Sequence, residues 1–291
     1  MKGAIEMLNF TIEDSKPETS LCSLKIEGSV AHLTLTREDV YNALNITLIS
    51  EIISILDWTK DRSVGERGTL LDSAGKPYLR VIVFSGAGKH FCAGADINMM
   101  RDAGAKSPEE NRIDSERLDR LFNSLWAHPC FTIGKIQGVA LGGGAGLIAC
   151  LDHVIVGPRA SIALSEGKLG ILPAVIGPYV YRKVGSAEFR RLAMIAGRIG
   201  AEESLRIGLV NQVSESLDGA ESTVVDEVLT TGPMAIAEAK KLTLTFDRWT
   251  GSDEEIRQWT LDKTSAMRGS DEGQEGLASF LEKRPPNWKE E

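Results

Sequence analysis

Apolar and polar residues alternate on both sides of Gly28-Ser29 in the segment CSLKIEGSVAHLTLT, residues 22–36. Two alternating runs joined by a glycine-containing dipeptide predict a β-hairpin. Downstream, isoleucines and leucines recur at helical spacing within residues 45–58, which predicts an amphipathic helix. Residues 1–21 are mostly polar and predict a loose N-terminal arm.

A continuous apolar run from Arg80 to Ser85 predicts a strand that is buried on both faces of a sheet. The preceding residues 60–79 are polar and rich in glycine, and they predict an exposed insertion or loop. The sequence Ser107-Pro108-Glu109-Glu110 is a capping box with proline at the first helical position, and it predicts a helix that runs to about Trp126.

The rest of the chain predicts an α/β class, because strands alternate with helices early and helices dominate late. The predicted strands are 131–136, 153–156, 161–164 and 209–213, and the predicted helices are 142–150, a mostly helical stretch from Val175, 218–231, 233–249, 252–268 and 270–281. We therefore expect a core over residues 1–214 and a helical C-terminal region over residues 215–291.

The composition is that of an ordinary globular protein, with 42% hydrophobic and 25% charged residues among 291. A net charge of −8 argues against a nucleic-acid partner, which requires clustered basic charge. The longest apolar stretch, 133–150, is interrupted by Lys135, Gln137 and several glycines, so we expect no membrane span. The N-terminus has the pattern of neither a secretory signal nor a transit peptide, which favours a cytoplasmic protein.

The four cysteines, Cys22, Cys92, Cys130 and Cys150, are widely spaced and form no CxxC pair. This spacing is typical of neither a zinc ribbon nor a disulfide scaffold, so we expect reduced thiols. Histidine, cysteine and acidic residues do not cluster at ligand spacing in the sequence, so we expect neither a metal nor a cofactor.

Two glycine-rich turns follow predicted strands, at residues 86–96 (GAGKHFCAGAD) and 138–146 (GVALGGGAG). Neither has the GxxxxGK[ST] pattern of a phosphate loop, and the match to the dinucleotide pattern GxGxxG is weak because the final glycine is missing. The turns could instead aim two backbone N–H groups at one oxygen, since small residues permit close approach and a helix start adds positive charge. The alternative is that these glycines only permit tight packing.

Several blocks of the chain resemble signature segments of the crotonase, or enoyl-CoA hydratase/isomerase, superfamily. These blocks are YNAL (41–44), HFCAGAD (90–96), GVALGGGAGLIACLD (138–152), LSEGKLGILPAVIGPYV (164–180), RIGAEESLRIGLVNQV (198–213) and FLEKRPPNW (280–288). The resemblance covers nearly the whole chain from about residue 22. It implies a ClpP-like spiral of ββα turns, followed by helices that mediate a homo-trimer or a hexamer built from two trimers.

The resemblance also implies an acyl-CoA site in which coenzyme A is part of the substrate. The backbone N–H groups of Ala95 and Gly143 would hold the thioester oxygen, and Glu166 would act as general acid and base. Partial burial of Glu166 would raise its pKa toward a useful range. The other positions implied to contact the substrate are Val40, Tyr41, Ala93, Gly94, Asp96, Ile97, Gly146, Phe280 and Lys283. Asp39 stands where many relatives carry a basic residue.

Gly146 stands where ordinary hydratases of this superfamily carry their first glutamate. With segment 164–180, it resembles bacterial methylglutaconyl-CoA hydratases, which implies reversible hydration of a branched, carboxylated enoyl-CoA in leucine or isoprenoid breakdown. Isomerases of the superfamily use a single carboxylate at the Glu166 position, so a Δ3,Δ2-enoyl-CoA isomerase and a general hydratase remain open. A non-catalytic acyl-CoA-binding protein is a further alternative.

We hypothesise that the space left by Gly146 admits a bulkier acyl chain or an extra water. A carboxylate at the far end of the acyl group would need a cationic or amide partner. Lys168 and Arg182 are candidates by proximity in sequence. We expect His90 to pack or cap at the first glycine turn.

Overall fold

Two β-sheets and a set of surrounding helices make up the computed structural model, which describes residues 15–289. Most of the predicted N-terminal arm, residues 1–14, lies outside the described residues. In chain order the strands are β1 (Cys22–Glu27), β2 (Val30–Leu35), β3 (Val81–Gly86), β4 (Phe131–Ile136), β5 (Val139–Leu141), β6 (His153–Val156), β7 (Ser161–Ala163), β8 (Ile199–Gly200) and β9 (Gln212–Val213).

The helices between and after these strands cover both parts of the chain. They are α1 (Ile46–Asp61), α2 (Val64–Arg67), α3 (Ile97–Gly104), α4 (Pro108–Trp126), α5 (Gly143–Cys150), α6 (Gly177–Ile195), α7 (Ala201–Arg206), α8 (Leu217–Thr230), α9 (Pro233–Asp247), α10 (Asp253–Gly269) and α11 (Asp271–Glu282). Short 3-10 helices occur at Glu38–Val40 and Ser165–Leu169. The predicted α/β class is confirmed.

The larger sheet has the strand order β1-β2-β3-β4-β6-β9, and the smaller sheet has the order β5-β7-β8. The predicted hairpin β1–β2 is antiparallel, whereas β2, β3, β4, β6 and β9 run parallel to one another. The first four residues of β3 are buried, as its continuous apolar sequence predicts. In the smaller sheet, β5 and β7 are parallel.

Two predicted helices begin at capping residues, of which only the capping box of α4 was identified from the sequence. Asn45 caps α1 by accepting a hydrogen bond from the N–H of Leu48, and the isoleucine-rich face of α1 is buried in the main core. Ser107 and Glu110 form the reciprocal capping box of α4. These caps satisfy N–H groups that have no acceptor within their own helices.

Residues 60–79 form an excursion with a folded base, so the prediction of an exposed insertion or loop is wrong for the two ends of the segment and holds for most of its middle. The segment contains α2, and Ser63 pairs with Leu79 in a parallel bridge at its base. Val64 and Leu79 are buried in the main core. These two apolar side chains hold the segment against the core, although its composition is mostly polar and is typical of a loop.

Three short elements, α3, β5 and β8, were not predicted from the sequence. No residue of α3 is fully buried, and its eight residues are too few for the sequence to show a repeating apolar face. β5 has three residues and β8 has two, which is too short for an alternating pattern. β9 is shorter than the predicted strand 209–213, because the N–H groups of Leu209 and Val210 donate to Ser204 O after α7.

Within residues 15–289, none of the helices combines the length and the apolar character needed to cross a membrane. All four cysteines are buried and free of disulfides, as predicted. The described part of the chain groups no three His, Cys, Asp or Glu side chains in a way that could bind a metal ion.

Candidate active site

Four extended segments lie side by side, and their carboxyl-terminal ends form the candidate site. The pairings that align them, all parallel, are Leu44 with Ala95, Cys92 with Ala140, and β5 with β7. Because parallel segments end at the same edge, the residues that follow them meet there. This alignment brings Ala95, Gly143 and Glu166 together from distant parts of the sequence.

The backbone N–H groups of Ala95 and Gly143 flank one small space. A Cβ placed on Gly143 would lie 3.7 Å from Ala95 N. Gly143 is the first residue of α5, where N–H groups have no acceptor within the helix. The N–H of Leu44 donates to Gly94 O, and the carbonyl oxygen of Leu44 accepts from Asp96 N. The N–H of Ala95, which lies between these two residues, therefore points away from Leu44. Neither amide has an acceptor among residues 15–289, and the α5 N-terminus adds partial positive charge.

Two glycines allow the close approach of these segments. Gly94 has a φ of +96°, and a Cβ on it would lie 2.6 Å from Leu141 O. Gly142 has a φ of +48°, and a Cβ on it would lie 3.2 Å from Glu166 Oε1. Any other residue at either position would be strained in its backbone and would displace its neighbours.

Glu166 lies in the short 3-10 helix that follows β7. Its Oε2 is buried and has no hydrogen-bond partner within the described part of the chain. Burial raises the pKa of Glu166 above its ordinary value, although a hydrogen bond from its own backbone N–H opposes the rise. The carboxyl group is therefore poised to exchange a proton with a bound ligand.

Two cavities meet at these groups. The turn cavity, of about 450 Å³, is lined by the turns that carry Tyr41, Gly94 and Gly142. The helix cavity, of about 400 Å³, is lined by α1, α3, α4 and residues 171–176. The residues that line both cavities are Ala95, Met100, Gly143, Glu166 and Ile171. A ligand that occupies both cavities must therefore pass the two free amides and the Glu166 carboxyl.

Most of the residues that the sequence assigns to substrate binding line the turn cavity. They are Val40, Tyr41, Ala93, Gly94, Asp96 and Ile97. Phe280 and Lys283 lie at the end of α11 and line neither cavity. Phe280 is 82% exposed, so its side chain is available at the surface of the single chain.

Asn42 was not identified from the sequence, although it holds the first glycine turn in place. The buried side chain donates from Nδ2 to Ala87 O at 3.0 Å and to His90 O at 2.9 Å. Its Oδ1 accepts from Arg37 N at 2.9 Å. Tyr41 and Asn42 both have positive φ, a conformation that asparagine tolerates well. The sequence signal for this role is the asparagine of the YNAL block, because asparagine is a residue type that adopts a positive φ readily.

Asp96 fixes the start of α3 by accepting a hydrogen bond from Asn98 N at 3.0 Å. Its other oxygen accepts from Arg37 Nη1 at 2.8 Å, a pairing that the sequence analysis did not identify. The bond from Arg37 holds the pKa of Asp96 below its ordinary value, and burial opposes this effect. Arg37 and Asp96 thus tie the two turns of the turn cavity together.

His90 packs at the first glycine turn, as the sequence predicts. Its Nδ1 accepts a hydrogen bond from Val139 N at 3.2 Å, and its ring contacts Tyr41 edge-on at 4.9 Å between centroids. Burial, together with the charges of Lys89 and Arg198, lowers the pKa of His90. A neutral imidazole that accepts a backbone hydrogen bond supports the turn.

The hypothesis of an open space beside Gly146 is wrong. A Cβ on Gly146 would lie 2.9 Å from Ile176 Cβ and 3.0 Å from Phe122 Cε1. Ile176 and Phe122 line the helix cavity themselves, whereas Gly146 lines neither cavity. Gly146 therefore permits close packing of α5 under these side chains, and the volume that a glutamate would need is already filled.

The two cations suggested as partners of a substrate carboxylate also lie away from the cavities. Lys168 is exposed, and it lines neither cavity. Arg182 forms an ion pair with Asp247 at 3.2 Å and likewise lines neither cavity. Proximity in sequence was a poor guide here, because neither side chain borders the space beside Glu166.

The two sheets, the aligned turns and the helices after them define an enzyme of the α/β crotonase fold. The chain belongs to the enoyl-CoA hydratase/isomerase family, whose sequence profile matches residues 25–291. The predicted superfamily, fold and enzyme class are therefore confirmed.

Curated and structurally characterised relatives cover most of the chain. It is 32% identical to the carnitinyl-CoA dehydratase of Escherichia coli K12 over 264 residues, which are 88% of this chain and 98% of that protein. An enoyl-CoA hydratase from Shewanella pealeana has a crystal structure that superposes with a TM-score of 0.85 at 35% identity, covering 93% of this chain and 97% of that one. Pseudomonas aeruginosa AtuE gives a TM-score of 0.83 at 30% identity, covering 93% and 100%.

Proposed function

We propose that this protein catalyses the reversible addition of water to an enoyl-CoA thioester. The observation that carries this proposal is the convergence of two free backbone N–H groups and one buried carboxyl group at the junction of two cavities. The N–H groups of Ala95 and Gly143 bind the thioester oxygen, and Glu166 moves the proton. The names of the relatives support a hydration or dehydration reaction.

A single carboxylate is sufficient for the proton transfers of this reaction. Glu166 takes a proton from water as the water oxygen bonds to C3 of the enoyl group. The electrons of the double bond move onto the thioester oxygen, where the two N–H groups stabilise the enolate. Glu166 then delivers the same proton to C2, which gives the 3-hydroxyacyl thioester and restores the carboxylate. Each oxyanion donor contributes about 10²–10³ in rate.

The coenzyme A part of the substrate occupies the turn cavity in this proposal. Val40, Tyr41, Ala93, Gly94, Asp96 and Ile97 contact it there. Phe280 and Lys283 reach coenzyme A from a neighbouring subunit, because they line neither cavity of their own chain. The helical region 215–291 forms that subunit interface in a trimer or a hexamer, and the protein acts in the cytoplasm.

The preferred substrate in this proposal is branched and carboxylated, of the 3-methylglutaconyl-CoA type. The resemblance of segment 164–180 to methylglutaconyl-CoA hydratases motivates this finer assignment. Ile176 and Phe122 occupy the space that a glutamate at position 146 would need, and this distinguishes the chain from ordinary hydratases. A lone carboxylate also favours a second candidate, a Δ3,Δ2-enoyl-CoA isomerase, in which Glu166 moves a proton from C2 to C4.

The decisive experiment compares turnover of 3-methylglutaconyl-CoA, crotonyl-CoA and a 3-enoyl-CoA by the wild type and by Glu166→Gln. We expect hydration of the branched acid to dominate and to fall by about 10²–10⁴-fold in the variant. Preference for the 3-enoyl substrate would establish the isomerase. Tight acyl-CoA binding without turnover of any substrate would contradict both catalytic assignments.

A further inference from the structure

The cavity-facing side of α4 changes from apolar to polar along its length. Phe122, Leu118, Asp114 and Asn111 line the helix cavity at the spacing of one helical face. Phe122 packs next to α5, with its Cε1 3.0 Å from the place of a Cβ on Gly146. Asp114 precedes Phe122 by eight residues, which is slightly more than two helical turns and about 12 Å along the helix axis. The cavity therefore has an apolar end beside α5 and a polar end at the start of α4.

Arg117 lines the same polar end and forms part of a small charged cluster. Its Nη1 lies 3.3 Å from Asp114 Oδ1, and Lys106 Nζ lies 2.6 Å from Asp114 Oδ2. The Asp114 side chain is 15% exposed and that of Arg117 is 35% exposed, so the carboxylate is more withdrawn from solvent than the guanidinium. Arg117 and Lys106 share the Asp114 carboxylate, and Glu110 lies close enough to interact with the charges of Lys106 and Asp114.

The guanidinium of Arg117 still has donors to offer. Among the residues described, 15–289, only its Nη1 has an acceptor, and Nε and Nη2 donate to none. A guanidinium presents its N–H groups in a planar fork that matches the two oxygens of a carboxylate. The bond to Asp114 restricts the orientation of this fork, and Lys106 offsets the negative charge of Asp114.

We propose that Arg117 is a specificity-determining residue that binds a carboxylate at the far end of the acyl group. This inference rests on the proposed function, in which the acyl group extends past Glu166 into the helix cavity. The apolar side chains beside α5 contact the hydrocarbon part of the acyl group, and Arg117 meets its terminal charge. Asp114 acts through Arg117 by holding the guanidinium in place.

The test compares Arg117→Gln with the wild type on 2-enoyl-CoA substrates that end in a carboxylate, from 3-methylglutaconyl-CoA to ten-carbon dicarboxylic acyl chains. Each is paired with the amide of the same acyl group, which keeps the shape and removes the charge. Arg120→Gln is the matched control, because Arg120 lies on the same helix and pairs with Asp57 at 2.7 Å outside both cavities. Hydration is followed as loss of the enoyl-thioester absorbance.

We expect the wild type to prefer a carboxylated substrate over its amide at the chain length that reaches Arg117. Arg117→Gln should lower kcat/KM for that substrate by about 10–100-fold, the value of one charge-assisted contact, and should leave the amide within about twofold. Arg120→Gln should change neither. Equal losses on both substrates, or no preference at any length, would overturn the role of Arg117 while leaving hydration intact.

A wild type that hydrates neither these substrates nor crotonyl-CoA would instead refute the proposed function. The role of Arg117 is then tested by binding instead of turnover. Calorimetry measures the affinities of the wild type and of Arg117→Gln for the carboxylated acyl-CoA and for its amide. Tighter binding of the carboxylated ligand that is lost in the variant would support the carboxylate site. Equal affinities for the two ligands would reject it.

Discussion

Ile176 packs directly over Gly146, so that a Cβ on the glycine would lie 2.9 Å from the isoleucine Cβ. The resemblance to the superfamily implies that ordinary hydratases carry a glutamate at the position of Gly146, and Ile176 lies thirty residues further along the chain. The glycine at position 146 and the isoleucine at position 176 therefore depend on each other, because Ile176 occupies the place that a side chain at position 146 would need. The chain can regain a carboxylate at position 146 only by losing this contact.

The variant Gly146→Ala should lower the free energy of unfolding by about 1–3 kcal/mol, because it overpacks a filled core. Ile176→Ala should relieve the clash, so that the double variant loses less than the sum of the two single losses. Urea unfolding of all four proteins measures this coupling. Gly269→Ala is the control, since nothing lies within 4 Å of a Cβ there and no loss is expected. Strict additivity at positions 146 and 176 would contradict the packing relationship.

The variant Gly142→Ala should lower kcat by about 10–100-fold, because the added Cβ presses on Glu166 Oε1 and displaces the carboxyl group. Gly75→Ala provides a matched control. Gly75 also has a positive φ, of +79°, but its Cβ would meet nothing within 4 Å. Both variants carry the backbone strain, and only Gly142→Ala crowds the carboxylate. Steady-state kinetics on the preferred substrate measures the difference, and an equal kcat in both variants would refute this explanation.

The raised pKa of Glu166 predicts a stability that depends on pH. The folded protein binds this proton more tightly than the unfolded chain does, so stability falls as pH rises above the ordinary carboxyl pKa of 4.5 and levels off above the folded pKa. Glu166→Gln cannot ionise and should have a higher Tm than the wild type at pH 8. The Tm difference should shrink toward pH 4.5, as measured by calorimetry. A difference that stays constant with pH would show that ionisation of Glu166 is not its cause.

The variant Asn42→Ala should weaken acyl-CoA binding and cost about 1–3 kcal/mol of stability, because two partly buried carbonyl oxygens lose their donor. Asn42→Asp keeps the acceptor for Arg37 N but removes the donor, so it separates the two roles. We expect both variants to raise KM, as measured by initial rates over a range of substrate concentrations. A normal KM in Asn42→Asp would assign the effect to the bond with Arg37.

Periodicity and capping residues predict the long elements of this fold because each depends on neighbours in the sequence. The apolar face of α1 and the capping box of α4 contain their own signals. β5 has no such signal, although it aligns the site, because its three residues depend on pairing with β7. The folded excursion at residues 60–79 likewise depends on the contact of Ser63 with Leu79, which the local composition conceals.

In the candidate site, too, the residues with a local sequence signal were predicted and those that depend on distant contacts were not. The glycine turns and Glu166 were predicted, because small residues and an acid in signature blocks are visible in the sequence. Arg117 was not, because its importance comes from the cavity that α4 borders and not from any motif around it. The space at Gly146 was wrongly predicted for a related reason: the side chains that fill it come from α4 and from residue 176.

A single arginine links the start of β3 to segments far along the chain. Arg80 is 4% exposed, and its guanidinium donates to Leu229 O at 3.1 Å, Thr231 O at 2.8 Å and Trp288 O at 2.8 Å. On the ribosome, these acceptors emerge long after the strand that needs them. The packing around the start of β3 is therefore complete only after Trp288 has left the ribosome.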